Sequence, residues 1–181
     1  NAWNYNRAAE HIDSKIEEVR SINIKEYKRD MSLENIPTNT AYRVDGVHLY
    51  ADITNLEDIL NVTQTEGETC HKRALRFLNL HYRAVDRILN QTETKRVDFH
   101  NQRLHALITK PYNTEDDAEA TRVRKAVAIA QIIIDVLAET GEEDEHIPTA
   151  KVRVGIDTGK ALAVNNGRSG NREPLFLGEP A

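Results

Sequence analysis

Val47-His48-Leu49-Tyr50-Ala51-Asp52-Ile53-Thr54-Asn55 is the stretch on which the fold turns. Apolar residues occupy both alternating faces as far as Ala51, the pattern of a central strand covered on either side. The run breaks at Asp52, and Thr54 and Asn55 are fair caps for a short helix over Leu56 to Leu60. A strand therefore delivers a carboxylate to the point where a helix begins. Amides at such a start face phosphate oxygens, and a carboxylate beside them can hold a divalent cation.

Working outward, Arg7 to Arg29 reads as a charged helix with Ile12, Ile16 and Val19 as a narrow apolar stripe, followed by a breaker at Ile36 to Thr40. Downstream, Leu75, Leu78, Tyr82, Val85 and Leu89 recur at alternating steps of three and four, which predicts an amphipathic helix. Two strands follow, Lys95 to Asp98 and Leu104 to Ile108. Thr114-Glu115-Asp116-Asp117 resembles a capping box and predicts a helix to Thr140, buried through Ala126, Ala130, Ile133 and Leu137 and stopped at Gly141. The acidic run Glu142 to Glu145 reads as a solvated turn. The remainder is β-rich: Lys151 to Ile156, a turn at Asp157-Thr158-Gly159, Ala161 to Val164 and Leu175 to Leu177, with a mobile loop at Asn165 to Arg172. Strands separated by long amphipathic helices define an α+β chain, a mixed sheet flanked by helices. The expected division is an N-terminal helical segment and linker, residues 1–40, and a main domain, residues 41–181.

The 181 residues, 39% apolar and 29% charged, are enough for a compact core. A net charge of -5 excludes a general binder of nucleic-acid polymers, since no basic excess exists to displace phosphate counterions. A single nucleotide needs only local cations. No apolar run approaches the roughly 20 residues of a membrane span, no signal peptide precedes Asn1, and Cys70 has no intrachain partner, so a soluble cytoplasmic protein is expected.

Asp98 closes a second short strand after Thr94-Lys95-Arg96-Val97. Two strand-end aspartates on neighbouring strands could clamp paired Mg²⁺ ions, which sit roughly 3.5–4 Å apart in phosphoryl-transfer sites. An Asp after a strand is also a common cap or turn former, the reading that Asp45 and Asp157 invite. His48, His100 and His105 lack the Cys/His spacing of a zinc site and read as core or surface histidines. Gly155 to Ala161 is no P-loop: three residues separate the glycines before Lys160, no Ser or Thr follows it, and a turn between strands opens no helix.

Leu49-Tyr50-Ala51-Asp52-Ile53, Val152 to Gly159 and Pro174-Leu175-Phe176-Leu177-Gly178 resemble, in order and spacing, three blocks of the class III nucleotidyl cyclases, with Asp98 where their second metal aspartate belongs. The resemblance spans about Val44 to Ala181. Tyr50 to Asn55, Val97-Asp98-Phe99-His100, Arg103-Leu104-His105-Ala106, Gly155 to Leu162 and Glu173 to Gly178 are similar, more narrowly, to the bacterial uridylate cyclases of Pycsar antiphage defence.

That resemblance implies a ferredoxin-like βαββαβ core and conversion of UTP to 3′,5′-cyclic UMP and pyrophosphate, as a signal for a separate effector. It implies two Mg²⁺ or Mn²⁺ ions held by Asp52, Asp98 and the Ile53 carbonyl, and a head-to-tail homodimer. Substrate contacts would come from Tyr50, Thr54, Asn55, Leu56, Arg96 and Leu175. Leu175 stands where adenylate cyclases place an adenine-reading Asp; Arg96 and Tyr50 are candidates for a smaller base pocket. The alternatives stay open that Arg96 pairs with a surface acid and Tyr50 packs in the core. A purine cyclase with an unusual pocket and a non-catalytic nucleotide sensor are the competing functions. The family's transition-state Asn and Arg would fall beyond Ala181, so the expectation is a shortened form of a longer protein.

Overall fold

The computed structural model describes residues 4–59, 68–100, 102–142, 148–165 and 174–180. The chain divides into two compact units, Asn1–Val44 with Lys160–Glu179 and Ala181, and Asp45–Gly159 with Pro180. The expected boundary at 40/41 falls where a long strand begins, four residues before the first unit gives way to the second.

In the first unit, α1 (Tyr5–Arg20) is followed by β1 (Asn23–Glu26), which pairs in parallel with the start of β2 (Thr40–Ile53), Asn23 opposite Thr40 and Glu26 opposite Arg43. The helix expected over Arg7 to Arg29 thus ends at Arg20. The stretch beyond it gains its hydrogen bonds from the sheet instead, and Arg43 pairs with Glu26 at 2.8 Å. Ile12 and Ile16 of the expected stripe are exposed; the Val19 side chain lies outside the described residues. The other end of this unit pairs Leu162–Asn165 of β5 (Val152–Asn165) antiparallel with β6 (Pro174–Leu177). Gly178 follows at φ +154, where an added Cβ would stand 3.1 Å from the Lys160 carbonyl oxygen, so only glycine is accommodated there.

The second unit runs from β2 through α2 (Glu68–Gln91), β3 (Lys95–His100), β4 (Arg103–Ile108) and α3 (Ala118–Glu142) to β5. This is the expected βαββαβ order, and its strands lie β3-β4-β2-β5. β2 pairs antiparallel with β4, Tyr50 opposite His105 and Asp52 opposite Arg103; β4 pairs antiparallel with β3. Alternation then sorts the residues. Val47, Leu49 and Ala51 of β2 and Leu104, Ala106 and Ile108 of β4 join Val85 and Leu89 of α2 and Ala126, Ala130, Ile133 and Leu137 of α3 in one core. His48, Tyr50 and Asp52, and across from them Arg103 and His105, point to the far face.

Several local expectations change. Leu75 is exposed and Leu78 and Tyr82 are half-buried; Val85 and Leu89 are buried as expected, and Phe77, His81 and Ile88 are buried with them. His81 is tolerated inside because its Nδ1–H donates to the Phe77 carbonyl at 2.6 Å. α3 begins at Ala118, not Thr114, because Asp117 takes a left-handed φ of 55° that closes the preceding turn. Asp157-Thr158-Gly159 makes no turn: β5 passes straight through, with Thr158 Oγ1 donating to Glu119 Oε1 at 3.1 Å. Asp45 likewise lies in a strand, where it meets the buried Arg122 at 3.5 Å. That guanidinium also donates to Pro111 O and Asn113 Oδ1, both at 2.8 Å, pinning the start of α3 to the start of this unit. The acidic run past Glu142 and the loop past Asn165 lie outside the described residues. Among those described, no helix is long and apolar enough to cross a membrane.

Candidate active site

Asp52 sits one residue from the end of β2 on the far face of the sheet. Its side chain is 24% exposed, and its Oδ2 accepts a hydrogen bond from Arg153 of β5 at 3.3 Å. Its other oxygen, Oδ1, is buried and has no hydrogen-bond partner among the described residues. A buried carboxylate oxygen left bare costs on the order of 1–3 kcal/mol or more, so a site that keeps one has a use for it. Asp52 also lines a groove of about 310 Å³ together with Tyr50, Ala51, Arg103, Leu104, Arg153, Val154 and Gly155. That volume is at the lower end of small-molecule sites, roughly 300–1,000 Å³.

Asp98 reaches the same face by a device that residue spacing does not reveal. In a regular strand Arg96 and Asp98, two apart, would share a face. Here the register shifts between them: Arg96 stands opposite the core residue Ala106, and Asp98 opposite His105. Val97 is the extra residue of a β-bulge, and a one-residue slip exchanges faces. Asp98 therefore joins His105, Tyr50 and Asp52, while Arg96 turns to the helices and pairs with Asp86 of α2 at 3.2 Å. The two aspartates were expected on neighbouring strands, but β4 lies between β2 and β3. The β3–β4 hairpin puts its returning strand next to β2, so about 9.6 Å across the sheet separates the two strands, at roughly 4.8 Å per strand. Asp98 is not part of the groove lining, and neither aspartate ends its strand.

The remaining expected contacts divide. Tyr50 lines the groove beside Asp52. Ile53 donates its amide to Gln102 O at 3.2 Å. Thr54 gives both its amide and its hydroxyl to Lys151 O, at 2.8 and 3.2 Å. The buried Asn55 side chain clamps the same segment, donating to Thr149 O and accepting from Lys151 N–H, both at 2.8 Å. Asn55 thus ties the strand end to residues 149–151 rather than capping with its side chain. Leu56 opens the single helical turn at 56–59 and is half-buried; Leu60, the expected end of that helix, lies outside the described residues. Leu175 belongs to the first unit, exposed on β6 opposite Val164.

Ring chemistry surrounds Tyr50. Its ring stacks on His105 with centroids 4.4 Å apart and planes 20° apart, and its hydroxyl donates to Pro180 O at 2.7 Å. Behind it, His48 Nδ1 and His105 Nε2 are 2.8 Å apart. Burial, reinforced by His48, pushes the His105 imidazole down to about 4 against the pull of Asp98. Burial also lowers His48 and raises the Tyr50 phenol, and Asp157 on β5 adds an upward pull to both.

Sequence reasoning assigned no role to Arg153 and Arg103. The signal was present: Arg153 is a lone cation between Val152 and Val154, both packed against the core, so it must face the other way. Arg103 stands directly opposite Asp52.

These residues suit a divalent cation with a phosphorylated ligand. The donors are hard oxygens, one of them bare and buried, with arginines at hand for anionic oxygens. Among the described residues no three His, Cys, Asp or Glu side chains cluster, so phosphate and water would complete the coordination shell.

No protein-family model matches the chain. It is 72% identical over 180 residues, 99% of its length, to a uridylate cyclase from Pseudomonas aeruginosa, of which it covers 35%. A uridylate cyclase from a Rhizobium species is 37% identical over 155 residues, 85% of this chain and 29% of the relative. A solved class III adenylyl cyclase-like ATP-binding protein from Pseudomonas aeruginosa superimposes with a TM-score of 0.86 at 72% identity, covering 99% of this chain and 38% of that one. The fold is that of a class III cyclase domain. Over most or nearly all of its length the chain is similar to these uridylate cyclases, and it spans about a third of the length of the curated relatives it matches.

Proposed function

We propose that the chain forms the catalytic portion of a cytoplasmic nucleotidyl cyclase that converts UTP to 3′,5′-cyclic UMP and pyrophosphate. The observation that carries this reading is Asp52, one carboxylate oxygen of which is buried and bare, in the lining of a groove shared with Arg103 and Arg153. The base rests on likeness: two relatives named uridylate cyclase match nearly all, and most, of the chain. Asp52, Asp98 and the Ile53 carbonyl would hold two Mg²⁺ or Mn²⁺ ions, which supply acidity to the ribose 3′-hydroxyl and neutralise charge on the leaving pyrophosphate.

The chain's own residues then position the substrate. Arg153 exchanges the Asp52 carboxylate for a phosphate oxygen, and Arg103 adds a second cation across the strand. The Asn55 clamp on residues 149–151 holds the backbone of Thr54, Asn55 and Leu56 still, so that it can face the triphosphate. Tyr50 narrows the base pocket. In-line attack on the α-phosphorus needs little covalent help from protein, so this positioning accounts for most of the acceleration. Arg96, on the helix side, serves the site of a second copy in a head-to-tail homodimer. Leu175 is a base contact on the sequence argument, its side chain being unable to accept a hydrogen bond. The product would signal to a separate effector in antiphage defence.

The test presents each of the four ribonucleoside triphosphates, with Mg²⁺ or Mn²⁺, to the full-length protein and to its Asp98→Ala variant. Cyclic UMP from the parent alone supports the reading. Equal turnover by the variant removes the metal assignment, preference for ATP or GTP makes a purine cyclase, and no product with any triphosphate makes a sensor.

A further inference from the structure

His105 and His48 have no place in the chemistry above, yet His105 lies between Tyr50 and Asp98 on the far face and His48 adjoins it. His105 lies directly across β4 from Tyr50 on one side and from Asp98 on the other. Tyr50 itself is held at three points: its backbone in β2, its ring on the imidazole with planes 20° apart, and its hydroxyl on Pro180 O at 2.7 Å. The imidazole is fixed in turn. His48, wholly buried two residues before Tyr50 on the same face, meets it nitrogen to nitrogen at 2.8 Å with ring centroids 5.1 Å apart. Diagonal neighbours across antiparallel strands are within reach of rings of this size.

Resting on the reading of Tyr50 as the side chain that narrows the base pocket, we propose that His105, anchored by His48, is a positioning residue that sets the angle of the Tyr50 ring and through it the choice of base. A tyrosine on an open sheet face turns about two side-chain bonds. Stacking removes most of that freedom, and the His48 contact prevents the imidazole from turning with it. The pocket wall is then rigid, which is what rejection of a larger base requires.

The two contacts can be separated. His105→Phe keeps a ring under Tyr50 without a nitrogen for His48; His105→Gln keeps a polar partner for His48 without the stack. In the full-length enzyme, His105→Gln is expected to lower the ratio of kcat/KM for UTP to that for ATP roughly tenfold, as Tyr50→Ala does, with His105→Phe intermediate. The double variant Tyr50→Ala/His105→Gln should be no less selective than Tyr50→Ala, because both remove one device. A selectivity ratio unchanged in both His105 variants, fully additive losses in the double variant, or an equal loss with all four triphosphates would each overturn the proposal. If Tyr50→Ala itself leaves the ratio untouched, the base-pocket reading fails first, and the two failures are told apart.

Discussion

Along β2, Val47, Leu49 and Ala51 enter the core between sheet and helices, while His48, Tyr50 and Asp52, one residue out of phase, point to the far face. β4 repeats the arrangement with Leu104, Ala106 and Ile108 against Arg103 and His105. The same strands thus carry stability on one side and the groove on the other. A residue on one face can be changed with little effect on what the opposite face does.

Paired substitutions, one on each face, put that separation to its hardest trial. Asp52→Asn should lower cyclase turnover of the full-length protein by at least roughly a hundredfold, the scale of losing one essential electrostatic group. Its unfolding midpoint should change little, because the bare Oδ1 stabilises nothing and the Oδ2 pair with the largely exposed Arg153 is well screened by water. Leu49→Ala should instead cost about 2–5 kcal/mol of stability, with turnover per folded molecule retained. Turnover assays paired with urea unfolding give both readings. An Asp52→Asn protein that is destabilised but active would show the carboxylate to be structural.

Acidity should act on both faces with one sign. Burial lowers His81 on the core side, and His105 on the far face is pushed down to about 4. Each imidazole is neutral when folded but takes a proton near the ordinary 6.5 when unfolded. Their contribution is therefore complete above that value and is lost as pH falls through the folded values. Within this window each tenfold rise in acidity costs up to about 1.4 kcal/mol per neutral histidine. Denaturant midpoints should be level above pH 7 and should fall between pH 6.5 and 4. His81→Gln should shrink that difference, and an unchanged difference would remove the buried imidazole from the account.

How much of this was legible follows from the same alternation. The α+β alternation and the buried face of α3 could be read because their periodicities are strong, Ala126, Ala130, Ile133 and Leu137 all being buried, while the βαββαβ core came with the family resemblance. Asp52 could be read because a polar residue interrupts an apolar strand. What failed depends on pairing with distant segments. β1 is a strand only because β2 lies beside it, and Asp157 stays extended because β5 continues past it. The faces of Arg96 and Asp98 are set by a bulge that no composition rule marks, and Arg153 acquires significance only when β5 brings it to Asp52.

The bulge also supplies the smallest and most discriminating test. Arg96 and Asp86 are each nearly half exposed, at 45% and 43%, so their 3.2 Å pair is well screened by water. Asp86→Ala should therefore change stability by less than about 1 kcal/mol in urea unfolding. If Arg96 leaves Asp86 to read a base in the site of a second copy, it must give up that pair on binding. Removing Asp86 then spares this cost, and KM for UTP should fall by about twofold, the equivalent of a few tenths of a kcal/mol. A pair that only fastens β3 to α2 predicts no such gain. Unchanged KM in Asp86→Ala, with loss of stability greater than a surface pair allows, would confine Arg96 to the helix-covered face and leave base choice to the residues around Tyr50.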